Sequence, residues 1–132
     1  MSIYETSPGI VSHRIIEKNA NVKLSKNLSH KEFKCRCQNS DCTFTLINDK
    51  LVAQFQKLRG FVGRPITVTS GYRCMRHNKQ VGGLDHSRHK KGSAIDITWD
   101  CDIESLANAA KGFFDVVLVY ESKNFIHCHM NG

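Results

Sequence analysis

Residues 94 to 99 read AIDITW and residues 124 to 130 read NFIHCHM. Successive side chains of a strand point to opposite faces of a sheet. In the first stretch Ile95, Ile97 and Trp99 therefore share an apolar face, and Ala94, Asp96 and Thr98 share the other. In the second, Ile126 and Cys128 oppose Phe125, His127 and His129. Each reads as a strand with one side in a core. If the two are neighbours in a sheet, one polar face carries Asp96 and a pair of histidines. The segment SRHKKGSAID (87 to 96) leads into the first strand and puts His89 on its entering loop. Gly92 allows that loop to reverse so that His89 comes back over Asp96, and Ala94 leaves room beside it.

The other elements follow by working outward. Residues 1 to about 23 show no period and read as an arm or short strand, leaving 24 to 132 as the domain. Ser29 is a candidate helix N-cap with Glu32 three residues on, the spacing of a capping box. Leu51, Val52, Phe55 and Leu58 recur at helical spacing from Asn48 to Arg59, and Gly60 stands where a C-cap is expected. ITVTS, bounded by Pro65 and Gly71, reads as a strand. GYRCMRHNKQVGGLDHSRHKKG is a long aperiodic loop, and loops of that length in a compact domain usually carry function. DIESLANAAKG reads as a helix ending at Gly112, and FDVVLVY as a buried strand. The order implies an α+β domain with helices on one face of a mostly antiparallel sheet.

At 132 residues, 40% of them hydrophobic and only two of them proline, the chain is sized for one globular domain with its own core. No apolar run approaches the roughly 20 residues of a membrane span. The start, MSIYETSPGIVSHRI, lacks the apolar centre of a secretory signal, so the chain is expected to be made in the cytoplasm. The formal charge of +7 and pI near 9.2 call for an acidic partner, nucleic acid or an anionic polymer such as a bacterial cell wall. The lysines and arginines are scattered, without charge blocks or interleaved aromatics, which counts against nucleic acid. Of the six cysteines, Cys35, Cys37 and Cys42 crowd into CRCQNSDC. That cluster fits a disulfide knot, a structural zinc site or reduced thiols, and its spacing is not the CxxC of a zinc knuckle.

Neutral imidazole and carboxylate are donors that zinc prefers, and three protein ligands with an open fourth position is the catalytic rather than the structural pattern. The spacing alone leaves a second reading open. His127 and His129 could be ordinary half-buried strand histidines and Asp96 a turn capper.

SGYRC (70 to 74), HNKQVGG (77 to 83), SRHKKGSAID and IHCH (126 to 129) occur in that order. Together they resemble the zinc D-alanyl-D-alanine carboxypeptidase family, which includes VanX-type dipeptidases, phage L-alanyl-D-glutamate endolysins and the hedgehog signalling domain. The likeness spans residues 24 to 130 and points to small phage or bacterial single-domain members, which share the LSKN…EF.C.C opening. It implies the hedgehog-like fold and a zinc cofactor held by His89, Asp96 and His127. It also implies that Arg73 holds the substrate's terminal carboxylate, with Ser87, which opens the metal motif, beside the substrate. A guanidinium suits that task because its planar fork binds a carboxylate through two hydrogen bonds.

Two departures concern the general base. Several family enzymes place an acid three residues before the last ligand, and here Asn124 stands there. The tail offers Glu121 instead, matching the hedgehog glutamate, and His129, where many short relatives have aspartate. The expected activity is zinc-dependent hydrolysis of peptidoglycan stem peptides at D-Ala-D-Ala or L-Ala-D-Glu bonds. It would act on the anionic cell wall after release from the cytoplasm, with Glu121 or His129 taking the proton. The competing expectation is a zinc-stabilised, non-catalytic module of hedgehog type.

Overall fold

The computed structural model describes residues 13–131. Their elements are β1 (His13–Glu17), β2 (Lys23–Ser25), β3 (Leu28–Ser29), α1 (His30–Phe33), β4 (Phe44–Asn48), α2 (Asp49–Val62), β5 (Thr67–Ser70), α3 (Met75–Gln80), β6 (Ala94–Thr98), α4 (Ile103–Ala110), β7 (Val116–Tyr120) and β8 (Phe125–His129). Short 3-10 turns at Arg88–Lys91 and Glu121–Lys123 precede β6 and β8. The main sheet is antiparallel in the order β5-β6-β8-β7, with two-stranded ribbons β1-β4 and β2-β3 beside it. This is the α+β class with mostly antiparallel sheet that the patterning implies. β1 falls within the segment read as an arm or short strand, and pairs with β4.

Helix α2 forms where the apolar spacing places it. The Asn48 side chain accepts hydrogen bonds from the backbone N–H groups of Lys50 (2.9 Å) and Leu51 (3.1 Å), capping its start. Leu51, Val52, Phe55 and Leu58 are buried against the same core as Ile95, Ile97, Ile126 and Cys128 of the sheet and Leu106, Ala107 and Ala110 of α4. Each of the Leu, Ile, Val and Phe side chains among these contributes about 1.5–3 kcal/mol of burial. The helix does not stop at Gly60. It runs to Val62 and ends on Gly63, whose φ of 63° is the left-handed conformation that a C-cap requires. Gly60 is an interior glycine, which costs a helix only about 0.5–1 kcal/mol relative to alanine. At α1 the anticipated cap is present, with the Glu32 carboxylate accepting from the Ser29 N–H (2.9 Å) and hydroxyl (2.8 Å).

Two other expectations change. The stretch 71 to 92 is not one aperiodic loop, because Met75–Gln80 form a helix and Arg88–Lys91 a 3-10 turn. Both are too short and polar to leave a hydrophobic period. β7 is not a buried strand. It lies at the sheet edge, with Leu118, Val119 and Tyr120 exposed. A run of apolar residues is compatible with either place, and only the pairing order separates them.

Candidate metal centre

The strand register builds the site. β6 and β8 are neighbours, with Asp96 directly opposite His127, while Ser70 of β5 and Leu118 of β7 extend the same row. Alternation sends Ile95, Ile97, Ile126 and Cys128 into the core. Asp96, His127 and His129 are left on the opposite face, at the floor of a cleft of about 510 Å³.

His89 reaches this floor from the 3-10 turn. Gly92 closes the turn at φ 70°, and a β-carbon there would collide with the backbone carbonyl of Leu46. Its own carbonyl accepts from the Asn48 N–H at 3.1 Å, so the turn is fastened to the start of α2. The Ser87 hydroxyl accepts from the His89 N–H at 3.2 Å, capping the turn, and Ser87 also lines the cleft. The Arg73 N–H donates to the His89 carbonyl at 3.0 Å, which zips the turn to the segment after β5.

His89 Nε2 lies 3.1 Å from Asp96 Oδ1, and His127 Nδ1 lies 3.0 Å from the same oxygen. His89 is 2% exposed and Asp96 5%. Burial pushes the Asp96 carboxyl upward, but hydrogen bonds and charge from His127 and His89 outweigh it and hold the group down to about 2. His89 Nδ1 lies 2.7 Å from the Gly71 carbonyl, which can only accept, so that nitrogen carries the proton. Protonated, the His89 ring donates its Nε2–H to the carboxylate; neutral, it turns a lone pair toward the same oxygen, as a metal ligand must. One ligand atom from each of His89, Asp96 and His127 lies within 4.8 Å of the others, a donor set of the kind that holds zinc.

Arg73 stands beside this set. Its Nε donates to Ser70 Oγ (3.3 Å), its Nη1 to Asn78 Oδ1 (3.0 Å), and its Nη2 lies 3.5 Å from Asp96 Oδ2. Asn78, 2% exposed, is in turn held by donating to the Leu84 carbonyl at 2.8 Å. Neither Asn78 nor Ser70 is among the residues picked out from the sequence. Their signal is that they lie in SGYRC and HNKQVGG, close to Arg73 in the chain. His129 adjoins the ligand set, its Nδ1 2.8 Å from His127 Nε2. Burial, then the charges of His127 and Arg88, push its ring down to about 4.

Glu121 is not brought to this cluster. It belongs to the turn beyond Tyr120 and Phe125, which pair at the far end of the β7-β8 hairpin. Its exposed carboxylate meets that of Glu104, whose pKa is raised by the shared hydrogen bond. Asn124 caps that turn at φ 56°, and Asp96 is the only acidic residue among those lining the cleft.

The crowded cysteines carry a second convergence. Cys35, Cys37 and Cys42 meet Cys74, and these four sulfurs form the other group among the described residues that could hold a metal. All six cysteines are free thiols. No helix among the described residues is long and apolar enough to cross a membrane.

No curated protein matches the chain at a significant level. A family model described as Peptidase M15 matches residues 26–129, a span that contains His89, Asp96, His127, Arg73 and every strand of the main sheet. The chain therefore belongs to the M15 peptidases, the family of zinc D-alanyl-D-alanine carboxypeptidase type that its motifs resemble.

Proposed function

We propose that this protein is a zinc-dependent peptidase that hydrolyses peptidoglycan stem peptides, at D-Ala-D-Ala or L-Ala-D-Glu bonds. The observation that carries the reading is the convergence of His89, Asp96 and His127 on the floor of a cleft whose wall presents Arg73. Zinc held there supplies Lewis-acid polarisation of the scissile carbonyl and a bound water acidic enough to ionise near neutral pH.

The chain's own residues do the rest. The Gly71 carbonyl fixes the His89 tautomer, so its Nε2 offers a lone pair. His127 offers Nδ1 when its Nε2–H donates to His129 Nδ1. Outer partners of this kind orient metal ligands and raise their basicity. A guanidinium has five N–H donors. Ser70 and Asn78 each take one N–H, from Nε and Nη1, and Asp96 pairs by charge with Nη2 at 3.5 Å, which leaves N–H groups on both terminal nitrogens for a substrate carboxylate. With no second carboxylate lining the cleft, the proton leaving water passes to an imidazole, and His129 is the one touching the ligand set. Its depressed pKa keeps it a proton acceptor throughout the neutral range, though a weaker one than an ordinary histidine. It takes that proton only by releasing the hydrogen bond from His127. The charge of +7 favours the anionic wall, which the protein would meet after release from the cytoplasm.

The test incubates zinc-loaded protein with murein and with defined stem peptides, with and without a chelator, and weighs the products by mass spectrometry. Release of D-alanine or of a split stem, abolished by the chelator, is expected. Intact peptides after incubation with folded, zinc-loaded protein would remove the proposal. One observation favours a second reading. The absence of any acid but Asp96 among the cleft-lining residues suits a zinc-stabilised, non-catalytic module of hedgehog type. In that case the same incubation leaves every peptide intact while zinc raises the melting temperature.

A further inference from the structure

We infer that Cys35, Cys37, Cys42 and Cys74 form a second, structural zinc site that holds the substrate-side wall of the cleft in place. The metal site itself is independent of the peptidase reading, and only the name given to that wall rests on it.

Geometry comes first. Zinc bound tetrahedrally by four thiolates at about 2.3 Å sets the sulfurs about 3.8 Å apart along each edge of the tetrahedron. Cys35 and Cys74 have sulfurs 3.7 Å apart, Cys74 and Cys37 are 3.8 Å apart, and all four lie within 4.8 Å of one another. A disulfide needs about 2.05 Å. The sulfurs are thus spaced around a common centre rather than drawn into pairs. Four donors with no open position is the closed pattern of a structural site.

Donors face three of the four sulfurs. The N–H groups of Cys74 and His77 donate to the sulfurs of Cys35 and Cys74, each at 3.4 Å, and the Lys18 ammonium lies 3.4 Å from the Cys37 sulfur. Four thiolates around one zinc ion carry a net charge of about −2, so donors and a cation facing the sulfurs are what such a cluster requires. Cys35 is buried and the other three are half-buried.

The place in the fold gives the site its use. The segment between α1 and β4 supplies three of the sulfurs and has no helix or strand of its own. Cys74 caps α3 and follows Arg73 directly. Asn78, which holds Arg73, lies on α3. Arg76 of the same helix adds hydrogen bonds to Asn39 and Asp41, both 3.1 Å, across to the cysteine segment. A metal here ties a segment without secondary structure to the short helix that carries the arginine's support.

The test counts zinc in purified protein by elemental analysis, in the intact chain and in Cys42→Ser, His127→Ala and Cys101→Ser. Two equivalents are expected in the intact chain and in Cys101→Ser, and one in each of the other two. If only the histidine metal site fails, the intact chain holds one equivalent, lost in Cys42→Ser and kept in His127→Ala. Cobalt substitution of the intact chain covers the case in which Cys42→Ser does not fold. Intense tetrahedral visible bands with sulfur-to-cobalt charge transfer in the near ultraviolet are expected. A folded Cys42→Ser with undiminished zinc, or a cobalt spectrum without sulfur charge transfer, overturns the site.

Discussion

His127 Nε2 lies 2.8 Å from His129 Nδ1, although only one of these two rings on the same strand face meets Asp96. The register explains the division. His127 is opposite Asp96, whereas His129 is opposite Ala94, one step along the strand pair. On the proposed reading the pair acts in series, one ring toward the metal and the other behind it.

From this arrangement His127→Ala should lose the zinc of the histidine site together with all activity. His129→Ala should keep that zinc at about 10- to 100-fold lower affinity and lose turnover by about 10² to 10⁴-fold. In His129→Asn the amide oxygen replaces the Nδ1 acceptor, so affinity should return while turnover stays low. Zinc titration and single-turnover kinetics on the three variants check this. Zinc kept in His127→Ala but lost in His129→Ala would reverse the assignment.

Arg73→Lys exchanges a planar fork for a point charge and gives up contacts to Ser70 and Asn78. A hydrogen bond to a charged group contributes about 1.5–3 kcal/mol, so KM for a carboxylate-ended stem peptide should rise roughly 10- to 100-fold. Asn78→Ala should move KM in the same direction by freeing Arg73. Unchanged KM in both, with unaltered melting temperatures, would take Arg73 out of substrate capture.

Gly92→Ala should destabilise the fold by at least about 1–2 kcal/mol from the left-handed backbone alone. The collision with the Leu46 carbonyl adds to that. Because the same turn carries His89, zinc affinity should fall with stability. Urea denaturation with and without zinc measures both, and a wild-type midpoint would contradict the account of the turn.

The two proposed metal sites would bind through deprotonated donors, so protons would compete with zinc. For the histidine site, apparent zinc affinity should fall steadily as pH drops into the acid range, because the imidazoles must lose their protons to bind. Folding of the metal-free chain follows a different curve. The Asp96 carboxyl is held down to about 2. Its contribution is therefore present above the ordinary carboxylate value of about 3.9 and is lost only as pH falls toward 2. Zinc content and circular dichroism followed from pH 8 to 3 should separate the two, with metal leaving before the fold. Simultaneous loss would show that the metal-free chain does not hold its shape.

The alternation of AIDITW and NFIHCHM by itself determined which side chains join the hydrophobic core and which face the cleft. Side-chain direction in a strand follows from backbone geometry, and a one-residue slip would expose Ile95, Ile97, Ile126 and Cys128. The spacing of His89, Gly92 and Asp96 was equally legible, since a reversing turn seven residues long depends on local conformation. What lies far apart in the chain was decided by tertiary structure. Cys74 joins Cys35, Cys37 and Cys42 because β5 delivers it beside α1, and 31 intervening residues conceal that from any local pattern. The end of α2 at Gly63 rather than Gly60, and the edge position of β7, turned on which neighbours were available to pack and pair. Glu121 was placed with the catalytic residues by its likeness to the hedgehog tail. The hairpin register carries it past the Tyr120 and Phe125 pair, away from the cleft and against Glu104, because strand pairing sets where a turn begins and residue spacing does not.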